Sequence, residues 1–245
     1  MRDRTIGSVV AAVLAALAVS GCTDAGDVAD TPLRAGVQLE CSFEDTAAAQ
    51  TVAGLTMKQV PDRGIEFVPG GRGKAIRFDG SGAQIRVHGV GSLPIQDGFT
   101  LEFWFRPEGD NPVRKSSTYT CAAHSSIFSV SYDAYTNRVA ARVKVAGKKV
   151  RLRGEEGAVK PQSWQHVALT YDGREVVLYL DGKPTARAPA SGAVDLNPKR
   201  DFVVGTWHKT NQAFYGAIDE LRLIDRALSA DEVLARIKIA GASPR

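Results

Sequence analysis

This chain has little net charge of either sign. Lys and Arg total 31 and Asp and Glu 27, for a formal charge of +4 and a pI near 9.0. An excess that small does not by itself point to nucleic acid, and no aromatic-basic motif or nucleic-acid-binding signature accompanies it, so no nucleic-acid partner is expected. A serine nucleophile elbow is missing. His88, His124, His166 and His208 show no zinc-ligand spacing. The glycine-rich stretch at residues 69–74 fails as a phosphate loop, because its leading Gly is misplaced and Ala75 stands where Ser or Thr would ligate magnesium. No internal repeat is visible. Cysteine is scarce too, with three in 245 residues, and the longest apolar run, residues 6–19, is too short for a confident membrane span.

That apolar run reads instead as a targeting segment. Arg2 and Arg4 precede it, and Val19-Ser20-Gly21-Cys22 follows in the pattern of a bacterial lipobox, whose cysteine is lipidated and becomes the first mature residue. Residues 1–21 are therefore expected to be a lipoprotein signal peptide, with an ordinary signal peptide or a short membrane helix as the alternatives. Residues 22–36 are small, polar and aperiodic, as suits a flexible tether behind a lipidated Cys22. The expected location is the bacterial cell envelope, exported and joined to a membrane by its lipid anchor only. Cys41 and Cys121 remain. In an exported protein an even remainder favours a disulfide, worth roughly 4 to 5 kcal/mol for so long a loop. Two separate buried thiols are the alternative.

From residue 37 onward, short alternating runs dominate. Residues 164–190 hold a three-strand meander in which Asp172-Gly173 and Asp181-Gly182 supply the turns, since Asp and Gly tolerate the positive φ of a tight hairpin. The middle strand is apolar on both faces and should be covered on both sides. Residues 99–106 place Phe99, Leu101, Phe103 and Phe105 on one face, with Thr100, Glu102 and Trp104 on the other. Further strands are expected near residues 37–42, 51–59, 64–68, 74–78, 83–87, 126–132, 137–145, 148–153, 202–205 and 216–224. Residues 107–123 read as a long polar loop. Ser229 and Glu232 form a capping box opening a short helix, with Leu228, Val233, Leu234 and Ile237 as its apolar stripe, docked at the sandwich edge. About a dozen short strands and one terminal helix make an all-β, two-sheet antiparallel sandwich.

Two motifs carry a resemblance. WQHVALTYDG from Trp164, with the VVLYLDG that follows, and GAIDELRLIDRALS from Gly216 resemble the bacterial LamG-like jelly-roll family of the concanavalin A-like lectin/glucanase superfamily. The similarity runs from about Val37 to Ile239, within one domain placed at residues 37–241, and implies a jelly-roll sandwich. Glucanases of that superfamily carry a Glu-x-Asp-x-x-Glu-like set on one strand, serving as nucleophile and acid/base. Here Glu102 is the nearest candidate, but Trp104 occupies the Asp position, so no catalytic residue is expected. The resemblance also implies that Asp219, with Glu44 and Asp45, can hold a structural Ca²⁺. Asp219 reads as sharing a face with Ala217, Leu221 and Leu223, and a carboxylate so placed needs a cation or backbone N–H groups to offset desolvation.

Two surfaces offer ligand contacts. Trp207, His208, Asn211 and Tyr215 combine aromatic rings and polar groups suited to sugar, or else form an aromatic plug beneath their loop. Arg142, Lys144, Lys149, Arg151 and Arg153 form a basic stripe that suits acidic polysaccharide or an anionic membrane, or is merely a solvated face. The function expected is a non-catalytic, lipid-anchored envelope module that binds carbohydrate or a protein partner. The alternatives are a glycosidase with displaced acids and a structural adhesion or scaffold protein.

Overall fold

The computed structural model describes residues 35–44, 50–51, 55–60, 63–71, 73–113, 116–125, 127–207 and 212–239. Residues 1–34, with Cys22 and the lipobox, lie outside that set, as do Asp45, His208 and Asn211. The strands in chain order are β1 (Val37–Cys41), β2 (Gln50–Thr51), β3 (Thr56–Val60), β4 (Ile65–Pro69), β5 (Lys74–Asp79), β6 (Gln84–His88), β7 (Phe99–Pro107) and β8 (Thr118–His124). They continue as β9 (Phe128–Asp133), β10 (Arg138–Val145), β11 (Lys148–Arg153), β12 (Gln165–Tyr171), β13 (Glu175–Leu180), β14 (Lys183–Pro189), β15 (Phe202–Val204) and β16 (Tyr215–Ile224), followed by the helix α1 (Ala230–Ile239).

Among the described residues these strands form two antiparallel sheets facing each other. A nine-stranded sheet runs β14-β13-β12-β7-β16-β1-β2, with β5 also on β16 and β4 on β5; a seven-stranded sheet runs β11-β10-β9-β8-β15-β6-β3. The core between them joins Phe99, Leu101, Phe103 and Phe105 of β7 to Phe128, Tyr132 and Phe202 of the opposite sheet. Phe99 and Phe128 meet across it with ring centroids 4.9 Å apart. Burying aromatic side chains of this size contributes on the order of 2 to 3 kcal/mol each from area alone.

The meander folds as its sequence dictates. Asp181 (φ 49°) and Gly182 (φ 76°) adopt the left-handed pair that a two-residue hairpin needs. A side chain at Gly182 would also meet Leu234 of α1, since a Cβ built there falls 2.4 Å from Leu234 Cδ2. Val176, Leu178 and Leu180 of β13 enter the main core, while Val177 and Tyr179 face outward beneath Val233 of α1. The helix thus lies on the outer face of the nine-stranded sheet, not at the sandwich edge. Its capping box is intact: Ser229 N–H donates to Glu232 Oε2 at 2.8 Å and Glu232 N–H to Ser229 Oγ at 3.2 Å. Leu234, expected in the apolar stripe, is exposed, and Arg236 is buried in its place.

Three further expectations change. Residues 118–124 form β8 and not a loop. β8 sits between β9 and β15, buried on both faces, so it shows none of the alternation that marks a half-buried strand. Cys41 and Cys121 are free, buried thiols and not a disulfide. They belong to opposite sheets, with Cys41 Sγ 3.8 Å from Met57 Sδ; burial pushes Cys41 up to about 12 and raises Cys121 as well. Finally, a β-bulge at Glu220 (φ 50°) shifts the register between Asp219 and Arg222. Leu221 and Leu223 therefore turn into the main core, and Asp219 sits with Ala217 toward the outer face, opposite Trp104.

Candidate binding cleft

Helix α1 covers only part of the outer face of the nine-stranded sheet. Beyond it, Arg106, Glu108, Gln162 and Tyr215 line a cleft of about 400 Å³. The ends of β7 and β16 are drawn together by Glu108 N–H donating to the Tyr215 carbonyl at 3.0 Å. Gly216 makes that approach possible: at φ 147°, a Cβ there would fall 2.4 Å from the Arg106 carbonyl oxygen. Gln162 is placed by its own N–H, which donates to the Pro107 carbonyl at 2.7 Å.

Arg77 of β5 organises the cleft's charges. Its Nε and Nη2 donate to the two oxygens of Glu108 at 2.6 and 2.7 Å, a bidentate pair, and Nη1 donates to Glu66 at 2.6 Å. The same guanidinium lies 5.4 Å from the centre of the Tyr215 ring, and Arg106 lies 5.6 Å from that of Trp164. Arg77, joined by the Tyr215 hydroxyl, holds the Glu108 carboxyl below the usual carboxylate range, and Glu108 in turn raises the Tyr215 phenol. At neutral pH the cleft presents an ionised, tightly oriented acceptor in Glu108, cationic donors, the Gln162 amide and a phenolic edge.

The structure separates the residues of the expected aromatic site. The segment between β15 and β16 crosses from one sheet to the other, and Trp207 ends beside Arg142, whose guanidinium is 5.4 Å from its ring centre. Tyr215 faces the opposite side of the sandwich. Phe214, between them, is the buried plug, packed edge-on to Phe78 at 6.4 Å. The basic stripe also divides: Lys144 pairs with Asp195 at 2.7 Å, while Lys149, Arg151 and Arg153 are exposed. Arg77, Arg106, Glu108 and Gln162 are not assigned to a site by the sequence, because they come from three separate segments with no shared spacing.

Glu102 is inaccessible. It is buried beneath α1, with Arg236 Nε at 3.2 Å, His166 Nε2 at 3.7 Å and Arg222 Nη1 at 3.9 Å. Burial raises its carboxyl above the usual range, against the pull of both arginines. Arg222 also reaches Glu40 at 2.8 Å and pairs with Glu220. His166 is driven down to about 3 by burial and by the two guanidiniums.

At the expected calcium position, Asp219 Oδ1 accepts from Glu220 N–H at 2.8 Å and Oδ2 from Gly71 N–H at 3.1 Å. Glu44 accepts from Lys74 N–H at 3.2 Å on the same glycine-rich turn. N–H dipoles aimed at both Asp219 oxygens already offset its burial, and among the described residues no group of three His, Cys, Asp or Glu is placed to hold a metal ion. Both Asp219 oxygens thus have backbone donors, while Asp45, the third expected ligand, lies outside the described residues.

Comparison with known proteins agrees with this architecture. Pappalysin-1 of Mus musculus is 28% identical across 73% of this chain, and pappalysin-1 of Homo sapiens 26% identical across 74%. The chain spans only 12% of the length of either. Among solved structures, the botulinum neurotoxin serotype G binding domain superposes with a TM-score of 0.68 at 17% identity, covering 84% of this chain and 51% of that one. Domain 4 of AbnA, an extracellular arabinanase from Geobacillus stearothermophilus determined in complex with arabinotriose, gives a TM-score of 0.58 at 21% identity, covering 84% of this chain and 98% of the other. A family model described as the concanavalin A-like lectin/glucanases superfamily matches residues 79–234, while β1 to β4, lying before that match, and β5, which ends where it begins, pair into the same two sheets. The chain belongs to the concanavalin A-like lectin/glucanases superfamily.

Proposed function

We propose that this chain is a non-catalytic module of the bacterial cell envelope, exported and anchored by acyl chains on Cys22, that binds carbohydrate through the Tyr215 cleft. The observation that carries this reading is the open cleft itself, with polar groups held in fixed orientation by the Arg77–Glu108 pair. Rigidly placed carboxylate, guanidinium and amide groups suit the paired hydroxyls of a sugar, and the aromatic ring of Tyr215 suits its C–H face. The arabinotriose complex of the AbnA domain supports the reading as an example of the same fold holding a neutral oligosaccharide. Two carboxylates speak against hydrolysis. Glu102 is sealed beneath α1, and Glu108, held ionised, makes a poor proton donor.

The test is a glycan array probed with the full chain and with Tyr215→Ala and Glu102→Gln. Binding of neutral oligosaccharides is expected to fall about tenfold or more in Tyr215→Ala, the loss of one well-placed contact, and to persist in Glu102→Gln. A flat array combined with capture of one specific protein would replace this reading with an adhesion or scaffold role. Release of reducing ends from polysaccharide, lost in Glu108→Gln, would replace it with a glycosidase.

A further inference from the structure

A second pocket lies where the open edges of the two sheets come together. β11 ends the seven-stranded sheet and β14 ends the nine-stranded sheet. Between them is a pocket of about 290 Å³ whose walls include Val145, Val150, Pro189 and Ala190, with Lys148 and Arg174 at its rim. No acidic residue lines it, and among the described residues neither Lys148 nor Arg174 has an ion pair. Of the two nearby carboxylates, that of Asp195 is engaged elsewhere, while that of Asp172 feels the Arg174 charge but is held by backbone N–H groups. Asp195 holds Lys144 at 2.7 Å and accepts from the N–H of Gly147 at 3.0 Å, and Asp172 accepts from the N–H groups of Arg174 and Glu175 at 2.9 and 2.7 Å.

The walls are fixed in place. The chain after β14 crosses between the sheets, with Ala190 N–H donating to the Arg174 carbonyl at 2.8 Å, Ala146 N–H to Ala193 at 2.9 Å and Asp195 N–H to Lys144 at 3.0 Å. Tyr171 donates its hydroxyl to the Gly192 carbonyl from below. A site built this way does not have to be ordered when a ligand arrives, which favours binding even of small molecules.

Two cations on an apolar wall, without a carboxylate, call for an anion with an apolar face. The pocket is at the small end of the range for ligand sites and opens to solvent, and it also carries the Ser191 hydroxyl. Such a mixed lining matches a pyranose, with C–H groups on one face and hydroxyls at its edge, better than an acyl chain, which needs an enclosed apolar tube. We infer that this pocket binds an anionic monosaccharide unit, its carboxylate or sulfate ester held between Lys148 and Arg174 and its C–H face against Val150, Pro189 and Ala190. The exposed Lys149, Arg151 and Arg153 on the other face of β11 add to the positive field that draws such a ligand in. The site is separate from the Tyr215 cleft and does not depend on it.

The experiment is an amide NMR titration of the full chain with D-galacturonate, galactose 6-sulfate, galactose and hexanoate. Both anionic sugars are expected to shift Val150, Ala190 and Ser191 with Kd on the order of 1 mM, and galactose to bind at least about tenfold more weakly. Lys148→Met and Arg174→Met, both at exposed positions, should each weaken the anionic sugars about tenfold, as expected for losing a charge-assisted hydrogen bond. Tyr215→Ala should change nothing at this site, so the result stands apart from the fate of the cleft. Equal binding of galactose, equal binding of hexanoate, or charge variants that bind like the parent would each overturn the assignment. So would the absence of shifts in these residues up to about 50 mM ligand.

Discussion

His166 gives the fold a pH dependence that can be worked out in advance. Its imidazole is buried and driven from 6.5 to about 3, by burial first and then by Arg222 and Arg236. Among the described residues the carboxylate paired with it, Glu102 at 3.7 Å, is already compensated by those same arginines, so it offers no net attraction to an imidazolium. The folded chain therefore keeps His166 neutral, whereas the unfolded chain protonates it near pH 6.5. With the folded value depressed, the stabilisation is fully present above pH 6.5 and is lost as the pH falls from there toward 3. Between pH 7 and pH 5 the loss from this residue comes to about 2 kcal/mol, near 1.36 kcal/mol for each unit below the unfolded value. Urea unfolding at the two pH values measures it, as a fall of roughly 1 M in midpoint for a typical slope. His124, buried and likewise lowered, contributes in the same direction, so the comparison is with His166→Gln. The variant should show a pH 7 to pH 5 loss smaller than the parent's by about 2 kcal/mol, whatever its stability at pH 7. Equal losses in the two proteins, or a histidine resonance of the parent assigned to His166 and titrating near pH 6.5, would refute the reasoning.

Alkylation of the denatured, non-reduced chain should label both Cys41 and Cys121, and a mass lower by two hydrogens with neither labelled would restore the disulfide. EDTA should leave the melting temperature unchanged within about 1 °C, since Asp219 is satisfied by N–H groups; a clear fall would show a bound cation. Ser229→Ala should cost about 1 kcal/mol by removing one half of the capping box, seen as a drop of roughly 2 to 4 °C in Tm. Saccharide binding by the Tyr215 cleft should stay flat from pH 8 to pH 5, because Glu108 remains ionised throughout; a sigmoid loss centred in that interval would show that another group controls the site.

The meander, β7 and the capping box were legible because each is decided by neighbours in sequence: Asp-Gly turns, strict alternation, and Ser and Glu three residues apart. β8 was hidden because a strand buried on both faces has no polar side to mark its period. The bulge at Glu220 was hidden because a single left-handed residue leaves no signature in composition, yet it reverses the face of every side chain beyond it. That one residue is why Asp219 seemed to face Leu221 and Leu223. Arg236 illustrates a different limit. On a helix drawn alone it belongs to the polar side, and only the presence of Glu102 beneath it explains its burial. The cleft shows the same limit more broadly, since Arg77, Glu108, Gln162 and Tyr215 meet only through the pairing of β5, β7 and β16.

Glu102 and Glu108 lie at the middle and just past the end of β7, and their divergent fates bear directly on what this sheet can do. Val233 and Ile237 draw α1 over the middle of the sheet's outer face. A carboxylate there loses its water and is compensated by Arg222 and Arg236 inside the protein, which makes it the more readily protonated of the two but leaves it out of reach of any substrate. The uncovered end keeps its water, and there Arg77 lowers Glu108, which makes it accessible but unable to supply a proton near neutrality. Glycoside hydrolysis needs an acid that is both protonated and exposed, facing a second carboxylate across the bond. The placement of one helix leaves Glu102 the more readily protonated of the two but buried, and Glu108 accessible but held ionised. The accessible half retains the properties that recognition requires, namely fixed charge, fixed hydrogen-bond geometry and an aromatic edge.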